Sequence, residues 1–139
     1  MFKRILIAYD GSDHSKRAAQ LAGEFARKQE NAELWVVCVM ALIPITLGEP
    51  YISEIMDQLT KAGEELIQDA KKVIGEGIPI HEELMFGSPA ESILEVEKTR
   101  NCDLIIMGTR GMSGLQSLLL GSQVNKVIIH SKCPLLAVK

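Results

Sequence analysis

The 139-residue sequence predicts an α/β fold, a doubly wound, five-stranded parallel sheet with helices on both faces. Two observations lead to this prediction. Short, continuous apolar runs recur along the chain, as is typical of strands buried in a parallel sheet. Segments with apolar residues at three- and four-residue spacing separate these runs, which indicates crossover helices. Because such crossovers are almost always right-handed, few topologies are available, and we expect the strand order 3-2-1-4-5.

The composition is that of an ordinary globular protein, and we expect a single domain over residues 1–139. Apolar residues make up 47% and charged residues 24% of the chain, a balance that supports a buried core. A net charge of −3 with scattered basic residues argues against nucleic acid as the main partner. Three widely spaced cysteines indicate reduced thiols and a cytoplasmic location. The longest apolar stretch, 34–47, contains Pro44 and is too short for a membrane span.

The first part of the chain predicts two strands and the helix between them. Residues 3–9 form a short apolar run, and Asp10-Gly11-Ser12 follows with residues that favour turns. Ser12 suits the N-cap of a helix over 12–29, where apolar residues repeat at helical spacing. Residues 33–40 are again short and apolar, which predicts the second buried strand.

The middle of the chain predicts a loop, a long helix and a third strand. The apolar loop 41–49 contains proline and glycine and is not assigned regular structure. Pro50 is expected as the first residue of a helix that ends at Gly75 or Gly77. The strand over 78–86 contains two adjacent glutamates, which indicates an edge position with one face in water.

The last part of the chain predicts two helices and two strands. Ser88-Pro89-Ala90-Glu91 has the sequence of a capping box with proline in the first turn, and it begins a helix that runs to about Thr99. Strand four covers 103–107, and the last helix covers 122–130 after a glycine-rich loop. The fifth strand, 134–139, begins with a proline, which suits the edge of a sheet.

The glycine-rich loop before the last helix is the strongest functional signal. Glycines at 108, 111, 114 and 121 allow main-chain amides to approach a phosphate, and the helix that follows adds free amides and a partial positive charge. Asp10, at the tip of strand one, is expected to face Gly108 at the tip of strand four. Both positions fall where the strand order reverses, so the sequence predicts a ligand site there.

Three segments of the chain resemble the universal stress protein family. The pattern Gly108-x2-Gly111-x9-Gly121-Ser122 is similar to the ATP-binding signature of that family, and residues 5–12 and 133–138 are similar to its first and last segments. The resemblance covers essentially the whole chain. It implies a Rossmann-like five-stranded sheet, a cytoplasmic homodimer and, as in some members of the family, a site for ATP.

The resemblance also implies which residues hold the nucleotide. Asp10 would lie near the ribose, Val39 would line the adenine slot, and main-chain amides of the glycine loop would hold the phosphates. A divalent ion, Mg²⁺ or Mn²⁺, would arrive with ATP, because no carboxylate cluster predicts a metal site made by protein alone. Family members often carry a small or β-branched residue where Gln123 stands, and Ser or Thr where Val124 stands. The cofactor-binding set implied in this way is Ala8, Asp10, Val39, Met107, Gly108, Arg110, Gly111, Gly121, Ser122 and Gln123.

The sequence leaves three functional hypotheses open. The first is a regulatory module in which ATP changes the affinity for a second copy or for a downstream partner that the sequence does not identify. The second is a slow ATPase at the same site, although the P-loop lysine is missing and no catalytic residue is assigned. The third is a structural or interaction dimer without a ligand. The apolar edge strand 135–138 predicts pairing with a second copy, the leucines at 118–120 are expected in the core or the dimer contact, and His14 is expected to be solvated.

Overall fold

The computed structural model describes residues 1–42, 48–110 and 121–139. Most of the expected loop 41–49, together with Gly111 and the leucines at 118–120, therefore lies outside the described residues. The strands are β1 (Arg4–Ala8), β2 (Glu33–Met40), β3 (Ile80–Phe86), β4 (Leu104–Gly108) and β5 (Leu135–Val138). The helices are α1 (Asp13–Arg27), α2 (Tyr51–Ile74), α3 (Pro89–Arg100) and α4 (Ser122–His130). Within the described ranges, no helix has both the length and the apolar character needed to cross a bilayer.

The strands form a parallel sheet in the order β3-β2-β1-β4-β5, which confirms the predicted topology. β1 lies at the centre, with Leu6 level with Trp35 of β2 on one side and with Ile105 of β4 on the other. β3 and β5 are the two edges, as the paired glutamates and the leading proline predict. The strand order reverses at β1, so a crevice is expected between the carboxyl ends of β1 and β4.

Alternating side chains along the strands divide the core into two halves. On β1, Ile5 and Ile7 pack with residues of α1 and α2, whereas Leu6 packs with residues of α3 and α4. These three side chains have no exposed surface. Because neighbouring side chains of a strand point to opposite faces, a run this apolar requires helices on both sides of the sheet.

Of the first three helices, α1 begins as the turn residues of the sequence predict, whereas α2 and α3 do not. Ser12 caps α1 through its side-chain oxygen, as predicted. Pro50 is the N-cap residue of α2, one position before the expected place. Ser88 stands at the N-cap of α3 but makes no capping bond with its side chain, so the predicted capping box is wrong. The Ala90 amide, which a capping side chain could have bound, donates instead to Gln123 of α4.

A buried carboxylate fixes the turn between α4 and β5. Glu97 of α3 is 7% exposed, and its Oε1 accepts hydrogen bonds from the amides of Lys132 at 2.7 Å and Cys133 at 2.9 Å. Bonds from main-chain amides to an ionised oxygen are among the stronger hydrogen bonds in proteins. Glu97 therefore holds the start of β5 in place beside β4.

Side chains from the β3 edge shield the single tryptophan of the chain. His81 of β3 stacks on Trp35 of β2, with ring centroids 4.3 Å apart and ring planes 21° from parallel. The Nε2 atom of His81 lies 3.5 Å from Oε2 of Glu33. Trp35 is consequently only 7% exposed although it lies next to an edge strand.

The three cysteines are free, and two of them, Cys38 and Cys102, are buried. Burial raises the pKa of the Cys38 thiol to about 12, and it raises the pKa of Cys102 to about 12 as well. Burial and a hydrogen bond to Glu97 have the same effect on Cys133, whose pKa is also raised to about 12. All three side chains are therefore neutral thiols at physiological pH.

Candidate functional site

A cavity lies at the carboxyl end of the sheet, in the crevice where the strand order reverses. Its volume is about 270 Å³, close to the lower end of the range of about 300–1,000 Å³ usual for small-molecule sites. It is surrounded by the ends of β1, β2 and β4 and by the first turns of α1, α3 and α4. The lining residues are Ala8, Tyr9, Asp10, Ser15, Val37, Val39, Pro89, Ile93, Met107, Gly108, Arg110, Gly121, Ser122, Gln123 and Val124.

The cavity brings together nine of the ten residues assigned to the cofactor from the sequence. The tenth, Gly111, lies outside the described residues. Sequence reasoning missed Pro89 and Ile93 of α3, although a helix that follows a parallel strand begins at the edge of the sheet where that strand ends. The other lining residues that it missed are Tyr9, Ser15, Val37 and Val124.

One wall of the cavity is apolar and continues into the core. Met107 and Ile93 belong to the half of the core between the sheet and helices α3 and α4, and Ala8 and Val39 pack against it. This wall holds hydrocarbon surface from three strands and one helix. A flat apolar group that binds there would be removed from water. The side chains of the wall would lose little conformational entropy, since they are already packed.

Asp10, another lining residue, is held by the first turn of α1. Its Oδ1 accepts a hydrogen bond from the Ser12 amide at 2.9 Å, and its own amide donates to Ser15 Oγ at 3.4 Å. Ser15 Oγ in turn donates to the carbonyl oxygen of Ser12 at 3.0 Å. The bond from the Ser12 amide fixes the position of a carboxylate that also lines the cavity.

Thr109 joins the two described ends of the glycine-rich segment. Its amide donates to Val138 of β5 at 2.8 Å, and its carbonyl oxygen accepts from the Gly121 amide at 3.0 Å. Its Oγ1 lies 2.8 Å from Nδ1 of His14, in the first turn of α1. The prediction that His14 is solvated is therefore wrong. The side chain is half-buried and is the partner of a buried threonine.

Gly108 is required by the approach of α1 to β4. A Cβ atom at position 108 would lie 2.7 Å from the Cβ of His14 and 2.8 Å from the main-chain carbonyl carbon of His14. Both distances are too short for real side chains, and the second atom belongs to the main chain of α1 and cannot move aside. The glycine at this position is thus explained by helix packing, independently of any phosphate.

The N-terminus of α4 lies at the cavity, whose lining includes Gly121, Ser122 and Gln123. Gly121 is the N-cap residue, and no side chain caps the helix there. Ser122 is therefore the first residue of α4, in agreement with the predicted helix over 122–130. The first bond between successive turns runs from the Asn125 amide to the Gly121 carbonyl at 3.0 Å. The amides before it point out of the helix, where the helix dipole favours a negatively charged group.

Gln123 links the beginnings of two helices at the cavity. Its Oε1 accepts a hydrogen bond at 3.0 Å from the amide of Ala90, in the first turn of α3. The donor and acceptor are 33 positions apart in the chain. Gln123 lines the cavity as predicted, and it also has a structural contact that the sequence did not indicate.

Tyr9 connects the base of the cavity to α2. Its hydroxyl group donates to the carboxylate of Asp69, and its side chain is 3% exposed. Burial, together with the Asp69 carboxylate, raises the pKa of Tyr9 above its usual value. Tyr9 therefore stays a neutral hydrogen-bond donor that positions β1 against α2.

Within residues 1–42, 48–110 and 121–139, no group of three or more His, Cys, Asp or Glu side chains is placed to hold a metal ion. The described cavity lining contains one carboxylate, from Asp10, and one guanidinium group, from Arg110. A guanidinium group does not coordinate cations, so Asp10 is the one charged metal ligand of this described lining, and a metal ion here would need most of its oxygens from a ligand or from water.

These observations define a doubly wound α/β protein with a ligand cavity at the switch point of its sheet. The chain belongs to the universal stress protein family, because the model of that family matches residues 1–139. A relative from Thermus aquaticus, the universal stress protein in the QAH/OAS sulfhydrylase 3′ region, is 42% identical over 140 residues. That alignment covers 100% of both chains.

Solved structures share the fold along the whole chain. Hypothetical protein MJ0577, solved as a test case for assigning biochemical function from structure, superimposes with a TM-score of 0.89 at 28% identity. The match covers 100% of this chain and 96% of that protein. A universal stress protein in complex with cAMP superimposes with a TM-score of 0.74 at 26% identity, covering 99% of this chain and 97% of the other. A protein of this family and fold thus binds an adenine nucleotide.

Proposed function

We propose that this protein binds ATP in the cavity at the switch point and acts as a nucleotide-responsive regulatory module, as members of the ATP-binding subgroup of its family would. The observation that carries the proposal is the convergence of nine residues, assigned from the sequence for nucleotide binding, on one cavity. The cAMP complex of a related protein supports the adenine nucleotide class.

Adenine is placed against the apolar wall, next to the main chain of β2. The Tyr9 amide donates to the Val37 carbonyl at 2.9 Å, and the pairing of β1 with β2 ends at Ala8 and Val37. Alternate residues of a parallel strand direct their amide and carbonyl groups to the same neighbouring strand. Val37 bonds to the β1 side, so Val39 directs its amide and its carbonyl to that side too, past the last paired residue of β1. This donor and acceptor match N1 and the 6-amino group of adenine. Guanine offers the opposite pattern there, so we expect ATP to bind more tightly than GTP.

The ribose is placed beside Asp10. An ionised carboxylate accepts hydrogen bonds and cannot donate them, which suits the hydroxyl groups of a sugar. Oδ1 of Asp10 is oriented by the Ser12 amide, so the carboxylate does not have to be ordered when the ligand binds.

The phosphates are placed at the N-terminus of α4. Gly121 is its N-cap residue, Ser122 and Gln123 begin its first turn, and Arg110 adds a positive charge to the same cavity lining. Gly108 and Gly111 belong to the proposed loop, of which Gly111 lies outside the described residues. Mg²⁺ or Mn²⁺ would enter with ATP, with the phosphate oxygens and water as its main ligands.

A regulatory role fits the lining better than rapid hydrolysis does. Among the described lining residues, Asp10 is the one carboxylate, and it already accepts a hydrogen bond from Ser12. The same set contains no histidine and no lysine. We therefore assign no catalytic residue.

A second copy of this chain is the proposed partner, through the outer edge of β5. Leu136 on this edge is 39% exposed, and Ile129 on the neighbouring helix α4 is 72% exposed. Pairing two copies along β5 would cover both edges and part of this apolar surface. Leu136→Lys should then sediment as a monomer under conditions in which the natural protein is a dimer.

The proposal treats residues 1–139 as one nucleotide-binding domain that works in the cytoplasm and does not use nucleic acid as a partner. The three free cysteines fit a reducing compartment, and the net charge of −3 disfavours a polyanion.

The decisive experiment has two parts. Heat release from the purified protein, followed by mass spectrometry, identifies any ligand that it carries. Calorimetry then compares ATP with GTP, both with Mg²⁺, on the natural protein and on Gly121→Val, whose side chain would press on the Thr109 carbonyl oxygen, 3.3 Å from a Cβ at that position. We expect ATP binding to the natural protein and little or none to the variant. A protein that carries no adenine nucleotide and shows no affinity for ATP would refute the proposed function.

A further inference from the structure

The carboxamide of Gln123 uses its oxygen in the contact with Ala90, which leaves its NH₂ group for a ligand. We propose that Gln123 is a phosphate-recognition residue whose NH₂ group, oriented by Ala90, donates to an anionic oxygen of the bound nucleotide. This inference rests on the proposed function and assigns a specificity-determining side chain to the same cavity.

The orientation of the carboxamide follows from the chemistry of its partner. A main-chain amide can only donate, so the atom of Gln123 that lies 3.0 Å from Ala90 N must be the oxygen. The nitrogen is therefore at the other branch of the side chain, with two hydrogens to donate. The assignment of oxygen and nitrogen is thus set by the hydrogen bond and does not depend on which atom was placed where.

The start of α3 keeps the oxygen in this position. Pro89 is the first residue of the helix and has no amide hydrogen, so Ala90 carries the first amide that needs an acceptor. The side chain of Ser88 makes no capping bond, which leaves Gln123 as the described acceptor. The positive end of the α3 dipole also favours the oxygen over the nitrogen at this place.

The cavity lining around Gln123 includes groups that can donate. The amides of the first turn of α4 precede the first helical bond, made by Asn125, and Arg110, elsewhere in the same lining, carries a positive charge. Val124, the next residue along the helix, is 4% exposed and has no polar side chain. Donors of this kind suit a ligand oxygen with negative charge. The Gln123 NH₂ group would extend this set towards α3.

The test uses Gln123→Glu, which has the same shape and can still accept from Ala90 but replaces the donor with a negative charge. Gln20→Glu, an exposed site on α1, makes the same change in net charge and serves as the control. Affinities for ATP and for adenosine are measured by calorimetry on the natural protein and both variants. Thermal unfolding without ligand reports whether the contact with Ala90 survives.

We expect Gln123→Glu to weaken ATP binding by about tenfold or more, because a hydrogen bond to a charged group is lost and repulsion is added. Adenosine affinity should be unchanged, and the melting temperature of the ligand-free variant should not fall, since a carboxylate still accepts from Ala90 and is favoured at the start of a helix. Gln123→Met, which loses both the oxygen and the donor, should lower the melting temperature and weaken ATP binding. Gln20→Glu should behave as the natural protein does.

An equal loss for ATP and adenosine in Gln123→Glu, or no loss for ATP, would overturn this inference while the proposed function stands. Failure of the natural protein to bind either compound would remove the proposed function. Inorganic tripolyphosphate then provides the remaining test. Thermal stabilisation of the natural protein and not of Gln123→Glu by tripolyphosphate would support the inference, and equal behaviour of the two would overturn it.

Discussion

The Nδ1 atom of His14 lies 2.8 Å from the Oγ1 atom of Thr109 and joins the first turn of α1 to the end of β4. The carbonyl oxygen of the same threonine accepts from the amide of Gly121, which begins α4. Three elements that line the cavity are therefore connected through one residue. A site whose walls are linked before the ligand arrives loses less freedom on binding.

His14→Ala should lower the free energy of unfolding by about 1 kcal/mol, the usual contribution of one hydrogen bond. Thr109 is 8% exposed, so its hydroxyl would lose a partner that water cannot easily replace. Urea unfolding measures the change. His130→Ala removes an exposed imidazole of the same type and should stay within about 0.5 kcal/mol of the natural protein. Equal losses in the two variants would show that the contact with Thr109 contributes nothing.

Asp10→Asn should weaken ATP and adenosine by the same factor, about tenfold, because both ligands carry the ribose that the carboxylate is proposed to bind. The turn should survive, since an asparagine oxygen can still accept from the Ser12 amide. Calorimetry with 2′,3′-dideoxy-ATP supplies the control. This ligand has no sugar hydroxyl groups, so it has no hydrogen bond to Asp10 that the variant could remove. If the variant weakened the dideoxy compound as well, Asp10 would act through the shape of the cavity and not through the ribose.

Glu97→Ala should destabilise the protein by about 2–4 kcal/mol, because two amides that donate to one buried carboxylate oxygen would lose their acceptor together. The amides belong to Lys132 and Cys133, just before β5. Thermal and urea unfolding both measure the change. Glu95→Ala removes an exposed glutamate from the same helix and should have little effect. A similar result for both positions would contradict the role given to Glu97.

Alkaline pH should destabilise the protein through its buried thiol groups. The pKa of Cys38 is raised from 9.0 to about 12 by burial, so the unfolded chain releases this proton at a lower pH than the folded protein does. The free energy of unfolding is therefore unaffected by this group below about pH 9 and falls as the pH rises towards 12. Tyr9, whose pKa is also raised, acts in the same direction.

Urea unfolding at about pH 8 and about pH 10.5 tests this pH dependence, and Cys38→Ala should show a smaller loss between the two values. Thiol reagents should modify Cys38 slowly in the folded protein and rapidly in the unfolded chain, because the thiolate is the reactive form. Rapid modification of Cys38 in the folded protein at neutral pH would contradict the raised pKa.

The order of the elements could be predicted because it depends on local patterns, and the strand order because doubly wound sheets with right-handed crossovers adopt few topologies. Apolar runs, helical spacing and the Ser12 turn are properties of a few consecutive residues, and the edges of the sheet were indicated by the glutamates of β3 and the proline before β5. The position of the cavity followed from topology, since the carboxyl ends of β1 and β4 meet wherever this strand order occurs.

Contacts between distant parts of the chain could not be predicted in this way. The acceptor for Ala90 is Gln123, and the partner of Thr109 is His14, 95 positions earlier. A local pattern instead assigned Ser88 as the cap of α3 and His14 to solvent. Gly108 was interpreted as a residue for phosphate approach, whereas the structure explains it by the packing of α1.

The stacking of Trp35 on His81 determines what intrinsic fluorescence can report. Trp35 stands near the amino end of β2, and Val39 is four residues further on, about 13 Å away along the strand. The only indole group of the chain is thus remote from the proposed adenine position and lies next to an imidazole at the β3 edge of the sheet. The emission of Trp35 should change on global unfolding and on substitutions such as His81→Ala. Addition of a nucleotide should leave the emission unchanged, so binding has to be measured with a labelled ligand or by calorimetry.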